Sequence, residues 1–166
     1  VRSGDRIHIS GNNGSGKTTL VKLLLGELEP TAGTIMRTGF SYLYIDQECS
    51  VIDPRLTVFE QTERFNTGNW AEHELKSILN RYLFPYDTWD KGCACLSGGE
   101  KIRLLFCCLM IGNNAPDVFI LDEPTNNLDI QSVEIITAAI KSYRGTVLLI
   151  SHDHYFVKEI KINRSI

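Results

Sequence analysis

An α/β fold, with a mainly parallel sheet flanked by helices and a small inserted helical subdomain, is what this 166-residue sequence predicts. Three observations lead there. A glycine-rich loop lies between a short strand pattern, Ile7-His8-Ile9, and an apolar helical run that starts at Lys17. Residues 117–121 form a short apolar run of the kind found in buried parallel strands, and a helical stripe and a further strand at 146–150 follow it. Between residues 53 and 89 the pattern turns helical, as an insertion into the α/β body would.

The totals agree with one domain spanning residues 1–166. A composition of 43% hydrophobic and 22% charged residues is ordinary for a globular chain of a size that can bury a substantial core. A formal net charge of −3 gives no electrostatic reason for nonspecific nucleic-acid binding. No apolar run approaches the roughly 18 to 20 residues that cross a bilayer, and no basic segment with an apolar signal core opens the chain, so the expected location is cytoplasmic. The cysteines, Cys49, Cys93, Cys95, Cys107 and Cys108, are odd in number and include no C-x-x-C pair, which points to reduced structural thiols.

Taken in order, residues 6–10 form the first strand. Gly11, Asn12, Asn13, Gly14, Ser15, Gly16, Lys17, Thr18 and Thr19 then read as a phosphate cradle. Glycine lets the chain bend tightly enough to bring successive N–H groups to phosphate oxygens, and the helix behind it adds unpaired donors and the positive end of its dipole. Lys17 can reach β- and γ-phosphates, and the Thr18 hydroxyl is placed to ligate Mg²⁺. The plain alternative is a glycine-rich surface turn with a chance lysine.

The first helix spans residues 17–28, with Gly26 and Pro30 marking its end. Strands are expected at 34–37 and 40–45. Gln47 follows the second of these, either turned back toward a ligand at the sheet edge or simply solvated in a loop. Helices at 57–65 and 70–84 build a subdomain over about residues 50–95, in which Trp70 and Trp89 serve packing. Leu96-Ser97-Gly98-Gly99-Glu100 leads into a buried helix at 101–111. With Ser97 at the capping position and two glycines at the start, this is either a second anion-binding helix end or an ordinary capped one.

The strand at 117–121 ends in Asp122-Glu123-Pro124, and acids at the carboxyl end of such a strand lie where doubly wound sheets bind ligands. Asp122 could hold Mg²⁺ through water, and Glu123 could take the proton of an attacking water. Residues 125–129 cap a helix whose buried stripe is Val133, Ile136, Ile140 and Tyr143. After strand 146–150 comes Ser151-His152-Asp153. Adjacent residues point to alternating faces and cannot converge as a hydrolytic triad, so His152 reads as a donor to a γ-phosphate, or as a structurally satisfied histidine. His8, His73 and His154 have no such context.

Together these residues resemble the nucleotide-binding domain of ATP-binding cassette (ABC) proteins, a P-loop NTPase core, over nearly the whole chain. The phosphate loop, Gln47, the pentapeptide 96–100, residues 118–123, Asp129 and His152 stand in the family's order, and the pentapeptide is the specific part. The resemblance implies ATP and Mg²⁺ as ligands and ATP hydrolysis as the activity. It also implies two cassettes facing head to tail, on one longer chain or as a homodimer. Each ATP would then lie between the phosphate loop of one cassette and Ser97, Gly98 and Gly99 of the other. Gln47 would sense Mg²⁺ and the γ-phosphate, Glu123 would be the general base, His152 would hold the γ-phosphate, and Asp129 would connect the two sites.

Residues 123–129 look like the ABC-F branch, whose members carry two cassettes, act on the ribosome and lack membrane domains; Asn127 departs from the histidine frequent there. About 50 residues between Gln47 and Ser97 suit that branch, and residues 39–47 with 56–60 look most like its second cassette. The adenine-stacking aromatic usually precedes the first strand, so the chain reads as a fragment trimmed at its N-terminus. The expected role is in a ribosome-associated translation or antibiotic-resistance factor. The alternatives are the ATP-binding subunit that serves a transporter's membrane subunit, and an ATP-dependent dimerisation switch with little turnover.

Overall fold

In the computed structural model, every residue is described except Asn13, Gln47, Glu48, Asn113, Asn114 and Asn127. Five parallel strands make one sheet, in the order β2-β3-β4-β1-β5: β1 (Arg6–His8), β2 (Tyr42–Ile45), β3 (Val118–Asp122), β4 (Thr146–Ile150) and β5 (Arg164–Ser165). Helices connect them: α1 (Lys17–Leu25), α2 (Val58–Arg64), α3 (Glu72–Arg81), α4 (Gly98–Ile111), α5 (Ile130–Ser142) and α6 (His154–Glu159). Because all pairings are parallel, the carboxyl ends of β1, β2, β3 and β4 share one edge. Ile45 lies opposite Leu121, and His8 and Leu121 both lie opposite Leu149.

Alternation along the strands gives the sheet two apolar faces. Ile45, Leu121, Val147 and Leu149 belong to a cluster with the side chains of α3, α4, α5 and α6. Ile7, Ile120, Leu148 and Ile150 face the other way, with Val21, Leu20 and Leu24 of α1 and the ring of Tyr44. All five residues of β4 are buried, as a central strand covered on both faces must be.

The structure corrects several element boundaries and removes one element. Residues 34–37 form no strand, and Met36 is 97% exposed. Their β-forming side chains have no neighbouring strand to pair with among the described residues, and β-propensity without a partner makes no ladder. β1 is shorter than expected, although Ile9 N–H still donates to Leu149 O at 2.8 Å. α1 stops at Leu25, where Gly26 takes up a left-handed conformation and its N–H closes on Leu23 O. α3 starts at Glu72 because the Asn66 side chain ties up both the N–H and the C=O of Trp70. α4 starts three residues early, with both glycines inside its first turn. In the α5 stripe Ile136 and Ile140 are buried, while Val133 and Tyr143 are only partly so.

The helical insert does not own a separate core. Leu75, Ile78 and Leu79 of α3 join the same cluster as Leu104, Leu105 and Leu121, with α4 as the shared wall. Trp89 packs against that cluster and donates Nε1–H to Phe84 O at 2.9 Å. Trp70 is more exposed than a core residue and is anchored through Nε1–H to Ile111 O. All five cysteines are unpaired; Cys95 alone is exposed, and burial, then the Asp46 carboxylate, pushes the Cys49 thiol up to about 12.

Candidate nucleotide site

The loop after β1 leaves its helix end open. Gly14 and Gly16 have φ of 79° and 91°, and a Cβ added at either would meet no atom within 4 Å. The positive φ at both positions is what calls for glycine, and the space around them is open. Gly16 caps α1 with no side-chain hydrogen bond, and the first intrahelical bond is Leu20 N–H to Gly16 O. The N–H groups of Lys17, Thr18 and Thr19 precede that bond and remain as donors. Lys17 folds over the loop, donating from Nζ to the carbonyls of Gly11 at 2.7 Å and Asn12 at 3.1 Å. Ser15 N–H closes the turn on Asn12 O.

A cavity of about 340 Å³ joins this loop to the end of β3, lined by Gly14, Gly16, Lys17, Thr18, Thr19, Asp122, Glu123 and Ile150. The donor set fits a nucleotide phosphate with its Mg²⁺. Backbone N–H groups and the Lys17 ammonium would meet the anion, and a hydroxyl and a carboxylate offer the hard oxygen ligands that Mg²⁺ takes. Among the described residues no three His, Cys, Asp or Glu side chains gather as a metal cluster.

Glu123 sits in the left-handed region at φ 51°, directly before Pro124, a placement costly for a residue with a Cβ. Its N–H donates to Ile150 O at 2.8 Å and its C=O accepts from Asn126 N–H, so β4 and the following turn hold it there. Its side chain is 11% exposed, with Oε2 accepting from His152 N–H at 3.3 Å and Oε1 3.5 Å from His152 Nε2. The base candidate and the γ-phosphate candidate are thus brought together. Ser151 and Asp153 take other work. Asp153 Oδ1 caps α6 through Phe156 N–H, and Ser151 Oγ accepts from Asp153 N–H, so no triad forms. His8 is satisfied at Ser151 O.

Tyr44 carried no signal in the sequence, yet it donates its hydroxyl to Asp122 Oδ2 at 2.8 Å. Burial, and then that bond, push its phenol well above the usual range, so it stays a donor at neutral pH. Only strand register could have revealed the contact.

Ser97, Gly98 and Gly99 do not line this cavity; Gly98 borders a separate one with Cys49, Cys93 and Lys101. Ser97 and Glu100 form a reciprocal capping box at 3.2 and 2.7 Å, and Lys91 pairs with Glu100 at 2.8 Å. Gly99 packs closely under Leu128, whose Cδ2 would lie 3.0 Å from an added Cβ. Asp129 caps α5 on Ser132 N–H and Oγ, and the N–H bond first of all holds its carboxyl below the usual range. Asn13, Gln47 and Asn127 lie outside the described residues.

Residues 1–126 match the ABC transporter family. The chain is 41% identical, over its whole length, to ABC transporter F family member 5 of Arabidopsis thaliana, and covers 24% of that protein. It is 39% identical over 95% of its length to the probable ATP-binding protein YbiT of Escherichia coli O157:H7, covering 30% of it. The chain thus spans less than a third of the length of these relatives. Among solved structures, an archaeal ribosome recycling factor in complex with an archaeal ribosomal stalk protein superposes with a TM-score of 0.74 at 29% identity, over 96% of this chain and 31% of that one.

Proposed function

The chain belongs to the ABC transporter family, and from that premise we propose that it is one cassette of a paired, Mg²⁺-dependent ATPase of the ABC-F type. The observation that carries the proposal is the single cavity in which the open phosphate loop, Asp122 and Glu123 meet. Lys17 and the free N–H groups of α1 bind the phosphates, and Thr18 and Asp122, with Gln47, would hold Mg²⁺. Mg²⁺ when bound neutralises charge on the β- and γ-phosphates. Glu123 takes the proton from the attacking water, and His152 orients the Glu123 carboxylate and donates to the γ-phosphate. Ser97, Gly98 and Gly99 lie outside the cavity, which supports a role in trans on a second cassette's ATP, with Asp129 beside the junction.

In the full-length protein, Glu123→Gln slows hydrolysis by roughly 10² to 10⁴ fold and leaves ATP binding intact. Unchanged turnover would remove Glu123 from the mechanism. For the partner, relatives named as ABC transporter F family members and a neighbour named as a ribosome recycling factor support a cytoplasmic, ribosome-associated factor. No helix among the described residues is long and apolar enough to cross a membrane. Trapped with ATP, the Glu123→Gln protein sediments with ribosomes on this reading; sedimentation with membranes alone would favour a transporter subunit.

A further inference from the structure

Tyr44 stands opposite Ile120 in the β2–β3 register, so Asp122 is its diagonal neighbour on the face that packs against α1. The ring packs against the cluster that contains Val21, Ile120 and Ile150, and its hydroxyl reaches Asp122 Oδ2 at 2.8 Å. Among the described residues no other side chain bonds the Asp122 carboxylate, while Thr18 and Asp122 line the same cavity. The orientation of this carboxylate therefore depends on one phenol fixed by core packing.

We propose that Tyr44 is a positioning residue for the divalent cation: by pinning Oδ2 it presents the Asp122 carboxylate to the shared cavity in one orientation. This inference rests on reading the cavity as an ATP–Mg²⁺ site. Partners of this kind, behind a metal-ligating group, typically contribute 10- to 100-fold in metal affinity. The core cluster under α1 would then set cation affinity directly, because it sets where the hydroxyl lies.

The test is Tyr44→Phe in the full-length protein, which keeps the ring and removes the hydroxyl. Mn²⁺ is titrated in the presence of ADP and followed by electron paramagnetic resonance, and ADP binding is measured separately in EDTA. The expected result is Mn²⁺ affinity weaker by about 10-fold with unchanged ADP affinity in EDTA, and hydrolysis that recovers at high Mg²⁺. Unchanged Mn²⁺ affinity overturns the proposal, as does an equal loss of ADP binding with and without the cation. In an Asp122→Asn background the Tyr44→Phe change costs nothing further; an additional loss there also overturns it. A parent protein that binds neither ADP nor Mn²⁺ would instead sink the ATP–Mg²⁺ reading itself, and this inference with it.

Discussion

Two helices of this protein begin at glycine-rich segments, and they begin differently. α1 starts behind Gly16 with no side-chain cap and no acid in its first turn, so three N–H donors and the dipole's positive end face a cavity. α4 starts behind Ser97, whose hydroxyl accepts from Glu100 N–H while the Glu100 carboxylate accepts from Ser97 N–H. The capping box engages one first-turn donor of this second helix, Glu100 N–H, and sets a carboxylate at the helix end that Lys91 balances. Glycine before a helix is therefore not enough to open its end onto a cavity of the same chain: α1 turns its first-turn donors to such a cavity, and α4 does not. Before α1 the glycines supply the positive φ of the turn, whereas in α4 Gly99 lies close under Leu128.

The comparison can be broken most forcefully at Lys17. Lys17→Ala removes the charge-assisted contact to phosphate, worth about 1.5–3 kcal/mol, and lowers ATP affinity by roughly 10- to 100-fold in a direct binding titration. An affinity equal to the parent's would contradict the open-cradle account of α1.

A smaller effect is expected at the other helix. Ser97→Ala in this chain removes half of the capping box, costing about 1 kcal/mol and lowering Tm by about 2–4 °C. Its ATP affinity stays that of the parent, because Ser97 is not in the cavity. A loss of ATP affinity in this chain alone, comparable to that of Lys17→Ala, would erase the distinction between the two helix ends.

The smallest difference is in acid. Burial pushes the Glu100 carboxyl up, but the bonds from Lys91 and Ser97 together outweigh it, and the net pKa is lowered. A carboxyl lowered by folding adds stability that is present above the unfolded glutamate pKa of about 4.3 and is lost as pH falls through the folded value. Glu100→Gln should flatten the acid limb of thermal stability below about pH 4, while Lys17→Ala leaves that limb unchanged. A parent-like acid limb in Glu100→Gln would show that the box adds nothing.

Much of the site was legible because its signals are local. Lys17 and Thr18 follow the glycine loop directly, Asp122 and Glu123 end an apolar run, and Ser97 and Glu100 stand at the capping-box spacing. The expected strand at 34–37 shows the limit of such signals, since Ile35 and Met36 have the residue types of a strand but no strand to pair with among the described residues. The helices from 57 to 81 were legible by period, but their sharing of one cluster with Leu121 of β3 was not.

By itself, the sequence determined the elements whose cause lies within a few residues: periods of two and near four, helix caps, the glycine turn and the acids closing β3. Tertiary structure alone decided that β1 lies between β4 and β5, which brings the loop after β1 toward the acids ending β3. It also decided that Glu123 is held left-handed by Ile150 O and that Tyr44 meets Asp122. The physical reason is one of range. Each of these contacts joins residues far apart in the chain, and its geometry follows from strand order and register, which no local pattern of side chains encodes.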